Sequence, residues 1–261
     1  MVGYSNANTK IKELSKVKAL VRYLQGKRKV VFFDLISGWS CPFANECLSK
    51  VHEIDGKRKI VDGPNTLFRC FSASQEVLFP NVYNKRMANF QAMKGAKTPD
   101  EMADILDANL PSNAGVVRIH VGGDMFSPNY FYAWMLMAIR NPTVLFYAYT
   151  KSLNYWIANL GKIPQNLILT ASRGGRLDNL IDKHNLREAK VVFSQDEANA
   201  LGLEIDHDDS HAADPSKKHQ SFALLIHGTQ PAGSKAGKAV KTLKGVGSYG
   251  KKKIHIVSTW S

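Results

Sequence analysis

The chain has 261 residues, of which 44% are hydrophobic and 10% aromatic, so it can bury a full core and is not a disordered protein. No apolar run approaches the roughly 20 residues of a membrane span, and the polar N-terminus has no signal-peptide core, so a cytoplasmic location without a membrane partner is the default expectation. The formal charge of +13, from 35 basic and 22 acidic residues, favours a nucleic-acid partner.

The first part of the chain predicts a helix, a strand and a long loop. Residues 10–25 place apolar side chains at helical spacing between lysines and arginines, which is typical of an amphipathic helix. Residues 29–36 are β-branched and aromatic, and they predict a buried strand. Residues 37–72 form a loop that carries all three cysteines. Helices are expected over 74–93 and from Thr98, as the capping residue, to the residue before Pro111.

From residue 116 onward, strand and helix patterns alternate. Each strand is apolar on both faces, which is typical of a parallel sheet covered by helices. With the first strand they predict an α/β fold of six parallel βα units, either an open sheet or a partial (βα)6 barrel. The predicted strands are 116–121, 143–149, 166–171, 189–193 and 221–227, and the predicted helices are 128–140, 153–160, 176–184 and 195–201.

No linker divides the chain, so 1–261 is expected to be a single domain with its βα core at 30–227. Residues 204–220 are polar and predict an exposed, mobile loop. Residues 228–261 form a basic tail rich in Gly and Lys, and this tail ends in a predicted strand at 254–258.

Lysine and arginine cluster in two segments, 10–29 and 235–253. Basic segments bind phosphate backbones by releasing counterions, so these two predict contact with a nucleic acid or a nucleotide. The alternative is a solvated basic surface that only keeps the protein in solution. The sequence gives no indication of an oligomeric state.

The cysteines are spaced Cys-x5-Cys-x22-Cys, at Cys41, Cys47 and Cys70. Ligands bind at the carboxyl ends of the strands in parallel α/β folds, and the first two cysteines follow the first predicted strand. Three thiolates could hold three irons of a 4Fe–4S cluster and leave the fourth iron open. The alternatives are a zinc site with His52 as fourth ligand, and three ordinary, partly buried cysteines.

Small polar residues follow the other predicted strands. Gly122-Gly123-Asp124 comes after the second strand, where the glycines let a ligand approach the backbone and the acid can accept hydrogen bonds, although a tight turn is the alternative. Thr170 and Ser172 come after the fourth strand, at the same edge of the sheet. Further polar side chains expected to face a substrate are Tyr149, Lys151, Arg173 and Gln195.

A strand, a three-cysteine loop and a second strand ending in Gly-Gly-acid together resemble a radical S-adenosylmethionine (radical SAM) enzyme. The resemblance implies a 4Fe–4S cluster on the three cysteines, with S-adenosylmethionine on the open iron. It also implies that the Gly-Gly-Asp motif contacts the cofactor's amino group, and that Thr170 and Ser172 hold its ribose or carboxylate. The usual superfamily spacing is Cys-x3-Cys-x2-Cys, so residues 48–69 must loop out here for Cys70 to return.

The stretches GWSCPFANECLSK, DGPNTLFRCFSASQE, IHVGGDMFS, LFYAYTKS and LIHGTQPAGSKAGKA more closely resemble a phage protein family called gene product 88. The similarity covers most of the chain from residue 30 onward. It implies a phage-encoded protein that works in the cytoplasm of an infected bacterial host, and it implies no particular activity.

Three hypotheses follow. The first is an iron–sulfur enzyme on a radical-SAM-like scaffold that cleaves S-adenosylmethionine to modify a nucleotide, a nucleic acid or a protein of the phage or host. The second is a non-catalytic phage protein with a structural or redox metal site that binds nucleic acid through its basic surface. The third is a metal-free protein that acts through a host protein partner.

Overall fold

A computed structural model describes residues 2–7 and 12–244. It has a seven-stranded, mostly parallel sheet and a separate two-stranded hairpin. The sheet strands are β1 (Ser5–Asn6), β2 (Lys29–Phe33), β5 (Ala114–Ile119), β6 (Leu145–Thr150), β7 (Leu167–Ser172), β8 (Glu188–Val192) and β9 (Phe222–Leu225), and the hairpin strands are β3 (Ser49–Ile54) and β4 (Lys57–Asp62).

The strand order in the sheet is β1-β2-β5-β6-β7-β8-β9, so each parallel strand lies beside the one that precedes it in the sheet's chain order. Only β1 is antiparallel to its neighbour. The expected α/β class with six parallel strands is therefore confirmed. Among the described residues the edge strands β1 and β9 do not pair with each other, so the sheet is not a closed barrel.

Nine α-helices connect or flank these strands within the described ranges. They are α1 (Phe71–Leu78), α2 (Pro80–Gly95), α3 (Pro99–Ala108), α4 (Pro128–Arg140), α5 (Leu153–Ile157), α6 (Asn179–His184), α7 (Gln195–Ala200), α8 (Ser210–Ala213) and α9 (Lys235–Thr242). Within those same ranges, no helix is both long and apolar enough to span a membrane.

The two faces of the sheet are covered differently. Val117, Phe146 and Leu169 point to one face, where α2, α3 and α4 bury their apolar sides around Trp134. Helices α5, α6, α7 and α9 pack on neighbouring residues of the same face. The opposite face, which includes Tyr147, is covered by α8 and by N-terminal 3₁₀ turns. The helices thus leave the carboxyl end of the opposite face open.

The N-terminal helix prediction was wrong in type. In place of one amphipathic α-helix over 10–25, the described part forms 3₁₀ turns at Glu13–Lys16 and Lys18–Tyr23. The apolar positions of the pattern are nevertheless buried, since Leu14 and Leu20 pack fully against the sheet. Packing of those side chains, and not helix propensity, decides the local geometry.

Three loop and helix predictions also need correction. The loop 37–72 contains the β3–β4 hairpin. The helix expected at 74–93 starts earlier and breaks before Pro80, where α1 ends and α2 begins. Residues 204–220 are not simply exposed, because α8 lies there and Asp206, Asp209 and His211 are buried.

The basic tail is only partly described. Residues 228–244 include α9, which was not predicted. The strand expected at 254–258 lies outside the described residues, as does the end of the basic segment 235–253.

Candidate functional site at the cysteine loop

The three cysteines meet at the carboxyl end of the parallel sheet. Cys41 and Cys47 lie on the loop after β2, and Cys70 is the residue directly before α1. All three are free thiols and partly exposed. Cys47 and Cys70 both raise the pKa of Cys41, so the three sulfurs lie within electrostatic reach of one another. Residues far apart in sequence therefore form one thiol cluster.

The long insertion between the second and third cysteines is closed at its base. Gly63 N donates to the Leu48 carbonyl at 2.7 Å. The Ser49 hydroxyl, at the start of β3, donates to Asp62 at 2.8 Å and accepts from Cys70 N at 3.2 Å. The insertion thus projects as a hairpin while its two ends stay together, and this brings Cys70 back to the loop.

The loop that carries the first two cysteines is also tied to the segment after β7. Ala44 forms an isolated bridge with Gly175, and Glu46 N donates to the Gly174 carbonyl at 3.0 Å. Gly174 has a φ of +95°, and a Cβ there would lie 2.6 Å from the Glu46 carboxylate. Glycine is required at this contact, which holds the loop against the sheet.

Burial disfavours the charged form of Cys41 and Cys70. It raises the pKa of Cys41 well above its ordinary value and, with the charge of Cys47, raises the pKa of Cys70 to about 11. Backbone N–H groups of Ser72 and Ala73, in the first turn of α1, donate to the Cys70 sulfur and oppose the rise. Thiolates here need a cationic partner, and N–H donors of this kind are a recognised feature of iron–sulfur ligation.

The cysteines do not surround a single metal ion. Among the described residues, no group of three or more His, Cys, Asp or Glu side chains is arranged to hold one ion. The ring of His52, the expected fourth zinc ligand, packs against Trp39 with 5.0 Å between ring centroids.

A buried ion network joins the three segments beneath the cysteines. Arg86, on α2, donates to Asp34 through Nε at 3.1 Å and Nη2 at 2.9 Å, and to Glu76 through Nη1 at 3.0 Å. The other oxygen of Asp34 accepts from Val121 N at 2.6 Å. Glu76 accepts from the backbone and hydroxyl of Ser37 at 3.1 and 2.5 Å. The ends of β2 and β5 and the helix after Cys70 are thereby locked to one another.

The residues of the Gly-Gly-Asp motif make their contacts with other residues of the protein interior. A Cβ on Gly122 would lie 2.8 Å from the Arg86 guanidinium carbon, and one on Gly123 would lie 2.6 Å from Ser40 Oγ. Asp124 is buried, and its carboxylate accepts from Met125 N at 2.7 Å. It also accepts from the Thr150 hydroxyl at 2.6 Å and Lys151 N at 2.8 Å. Burial raises the pKa of Asp124 against the lowering effect of these bonds.

A cavity of about 230 Å³ opens beside the thiols on the face of the sheet that the helices leave open. Cys47 and Cys70 line one side of it, and Cys41 does not line it. The opposite wall consists of side chains from the ends of five parallel strands and the residues just after them. These are Arg118, Val121, Tyr149, Ser172, Val191, Leu224 and Ile226.

The polar floor of the cavity is built around Arg118. Its guanidinium pairs with Asp209 and lies 5.2 Å from the centroid of the Tyr149 ring. Burial by itself would lower the pKa of Arg118, but Asp209, Tyr147 and Tyr149 raise it by more than burial lowers it. The pKa therefore lies above the ordinary arginine value, and the guanidinium stays charged. The buried hydroxyl of Tyr149 has no hydrogen-bond partner among the described residues.

The remaining candidate residues are distributed unevenly around the cavity. Ser172 lines it, and its hydroxyl accepts from Lys151 Nζ at 2.9 Å. Thr170 is fully buried and bonded to Arg187, away from the cavity wall. Arg173 pairs instead with Asp182 and Glu188. Of the five candidate cofactor residues, Ser172 alone lines the cavity, and of the substrate-facing candidates, Tyr149 alone does so.

The described parts of the two basic segments, residues 12–29 and 235–244, do not line this cavity. In the N-terminal one, Lys16 pairs with Glu13 at 2.5 Å on the surface. In the other, Lys235 lies 5.1 Å from the centroid of the Phe193 ring. Their proposed contact with nucleic acid stays a prediction.

Sequence reasoning missed two parts of the site. The hairpin had a signal, since Asp55-Gly56 is a favoured two-residue turn between alternating runs. Arg86 had no sequence signal. Its neighbours in the helix do not show that this arginine is buried, because its partners Asp34 and Glu76 lie 52 and 10 residues away in the chain. Arg118 and Asp209 are likewise joined only by the fold.

The sequence model of a protein family described as gene product 88 matches residues 3–244. No curated protein and no solved structure matches the chain.

Proposed function

The chain belongs to the gene product 88 family, and from that premise we propose that it is an iron–sulfur protein that holds a 4Fe–4S cluster on Cys41, Cys47 and Cys70. The observation that supports this most is the nearness of three thiols at the carboxyl end of a parallel sheet, where Cys47 and Cys70 line a cavity. A cluster with three protein ligands would leave one iron open to a further ligand. In its reduced form, it would supply an electron to that ligand.

The protein's own groups suit that cluster. The raised pKa values of Cys41 and Cys70 keep protons on these two sulfurs in the free protein, and a cluster held by them would displace those protons. The N–H donors of α1 stabilise the sulfur charge, and the Arg86 network fixes the cysteine-bearing segments before the cluster arrives.

We further infer that the cavity receives a ligand at the open iron, with S-adenosylmethionine as the candidate from the radical-SAM-like scaffold. Val191, Leu224 and Ile226 offer an apolar wall for a flat ring, and Ser172 offers a hydroxyl. In this proposal, the Gly-Gly-Asp motif and Thr170 serve the scaffold, because their polar groups already bond within the protein.

The scaffold is proposed to curve as a partial (βα)6 barrel with the cavity at its mouth. Strands that follow one another in chain order, with the connecting helices on one face, support this geometry. As a member of a phage family, the protein would work inside the infected bacterial cell.

The cluster is tested by anaerobic purification with iron and acid-labile sulfide counted per chain. We expect a brown protein with about four irons and four sulfides, and loss of both in each of C41S, C47S and C70S. Zinc in place of iron, or no metal after reconstitution, would refute the cluster. Retention of a full cluster by any one cysteine variant would remove that residue from the ligand set.

The cavity is tested separately by equilibrium dialysis of S-adenosylmethionine against the reconstituted protein. L224W adds a large ring from the cavity wall opposite the cysteines and leaves all three cysteines in the chain, and L201W adds the same ring at an exposed position. We expect L224W to keep its iron and lose binding, while L201W keeps both. Absence of binding to the unmodified, iron-loaded protein would refute this ligand and leave the cluster standing.

The second candidate function is a non-catalytic protein whose cluster is structural or redox-sensing. The internal bonding of Asp124 and Thr170 favours it, because these side chains are then scaffold residues only. Under a strong reductant this version predicts no cleavage of S-adenosylmethionine, whereas the radical-type enzyme predicts cleavage.

A further inference from the structure

The hairpin β3–β4 has one face against the protein and one turned away from it. Directly paired residues of antiparallel strands share a face, so the pairs Ser49–Asp62, Val51–Ile60 and Glu53–Arg58 form the inner face. Val51 is buried there, and Arg58 stacks over Tyr83 of α2 at 5.6 Å. The alternate pairs Lys50–Val61, His52–Lys59 and Ile54–Lys57 form the outer face.

The outer face carries uncompensated positive charge. Lys50, Lys57 and Lys59 lie on it, and none of the three forms an ion pair within residues 2–7 and 12–244. The acids of the hairpin strands are placed elsewhere, since Glu53 is on the inner face and Asp62 is bound by Arg69 at 2.6 Å. A cationic face without acids attracts an anionic partner.

An aromatic side chain is fixed on the same face. Trp39 donates from Nε1 to the Val51 carbonyl at 3.1 Å, which orients its ring, and the ring remains 43% exposed. The His52 ring lies 5.0 Å from it, and Lys50 Nζ lies 4.5 Å from its centroid. Such a rigid, exposed indole beside cations is a stacking platform for a planar group.

We propose that the outer face of this hairpin, formed by Trp39, Lys50, His52, Lys57 and Lys59, binds single-stranded nucleic acid. The lysines contact phosphates, and the indole stacks on an unpaired base. The net charge of +13 draws the same partner to the protein from a distance. An unpaired strand is favoured over a duplex because stacking on Trp39 needs a base that is free of its own stack.

The place of the hairpin adds a geometric consequence. Its base residues flank Cys47 and Cys70, and these cysteines line the cavity. The base of the hairpin that would bind the strand is therefore in contact with the cavity lining. The binding inference itself uses no cluster, so it stands or falls independently of the proposed iron site.

The experiment measures fluorescence anisotropy of a labelled mixed-sequence 20-nucleotide DNA with the full-length protein, from about 50 to 200 mM salt. Variant one is the triple change K50Q, K57Q and K59Q, and variant two is W39L. The matched control is K162Q, K183Q and K218Q, which removes the same charge from exposed lysines elsewhere. Far-ultraviolet circular dichroism of every sample shows that each variant is folded, whether or not it carries iron.

We expect the hairpin triple variant to weaken binding at least tenfold more than the control, and to reduce the slope of log affinity against log salt by about 2. W39L should weaken binding to the single strand about tenfold and leave binding to a duplex of the same sequence unchanged. Equal losses in the two lysine triples would overturn the assignment to this face. No binding at 50 mM salt would overturn the nucleic-acid partner and leave a protein as the occupant.

Discussion

Replacing Arg86 by Met tests whether the buried ion network organises the cysteine site. Arg86 is 3% exposed and is the cation shared by two buried carboxylates, Asp34 and Glu76. Met has a similar length and keeps the apolar contacts of the stem. The change therefore removes the charge and the hydrogen bonds while it leaves most of the packing.

The expected cost follows from the environment of the two acids. Removing one partner of a buried ion pair costs about 3–5 kcal/mol, because a charge is left uncompensated. Glu76 can escape part of the cost by taking up a proton, since burial already raises its pKa. Asp34 keeps its bonds from Val121 N at 2.6 Å and Gly122 N at 3.3 Å, and these hold its carboxylate in place.

R140M is the matched control. Arg140 also bridges two acids, Asp100 at 3.2 Å and Asp104 at 2.7 Å, but both acids are 71% exposed. A surface pair of this kind contributes about 0–1 kcal/mol. The two variants thus delete the same side chain from a buried and an exposed network.

The assay is urea unfolding of both variants with and without the reconstituted cluster, at about pH 7 and about pH 5. R86M should lose about 3–5 kcal/mol at the higher pH and bind less iron, and R140M should change neither by much. In R86M the folded-state pKa of Glu76 lies above its unfolded value, because burial raises it and Arg86 no longer lowers it, so the stability deficit of this variant should shrink as the pH falls. A loss in R86M no larger than in R140M would refute the role of the network.

Three further predictions concern the scaffold. G123A should cost about 1–3 kcal/mol more than G161A, because both positions have positive φ but a Cβ meets Ser40 and Leu35 only at Gly123. Asp206, whose Oδ1 lies 3.6 Å from His211 Nδ1, and then Glu204, which His211 Nε2 contacts at 2.8 Å, hold the pKa of His211 above its ordinary value despite burial and Lys217, so the wild type should exceed H211Q in stability by more at about pH 5 than at about pH 9. T98A should lose about 1 kcal/mol, since the Thr98 hydroxyl accepts from Glu101 N at 3.2 Å and caps α3.

Each of the three is read by urea unfolding. Equal losses in the two glycine variants would show that the loop relaxes around the added methyl group. A pH-independent gap between the wild type and H211Q would show that His211 is not protonated in the fold. T98S retains a hydroxyl and should restore most of the cap, so an equal loss in T98S and T98A would contradict the capping role.

Much of the fold follows from local patterns. Apolar runs such as 116–121 and 143–149 lie within one or two residues of β5 and β6, because a strand buried on both faces has a composition that few other elements share. Alternation of such strands with helices permits only a short set of topologies, and the observed order is the simplest of them. The same logic puts Cys41 and Cys47 at the carboxyl end of the sheet.

Local sequence patterns predicted the structure of the insertion 48–69 and of the loop 204–220 less well. The turn at Asp55-Gly56 marks a hairpin, but charged Glu53 and Arg58 on its inner face and apolar Ile54 and Val61 on its outer face hide the alternation of buried and exposed positions. Residues 206–211 look like a solvated acidic run, yet Asp209 pairs with Arg118 and is buried. A polar segment is exposed to solvent only when the protein interior offers its side chains no hydrogen-bond or ion-pair partner.

The sequence by itself determined the α/β class, the family and the spacing that puts two cysteines after the first parallel strand. Only the tertiary structure decided that Cys70 joins them, that Arg86 serves both Asp34 and Glu76, and that Asp124 bonds inward to Lys151 N. These contacts link residues that are 10 to 52 positions apart. Periodicity describes which face of an element is buried, whereas the choice of partner on that face depends on how the elements pack.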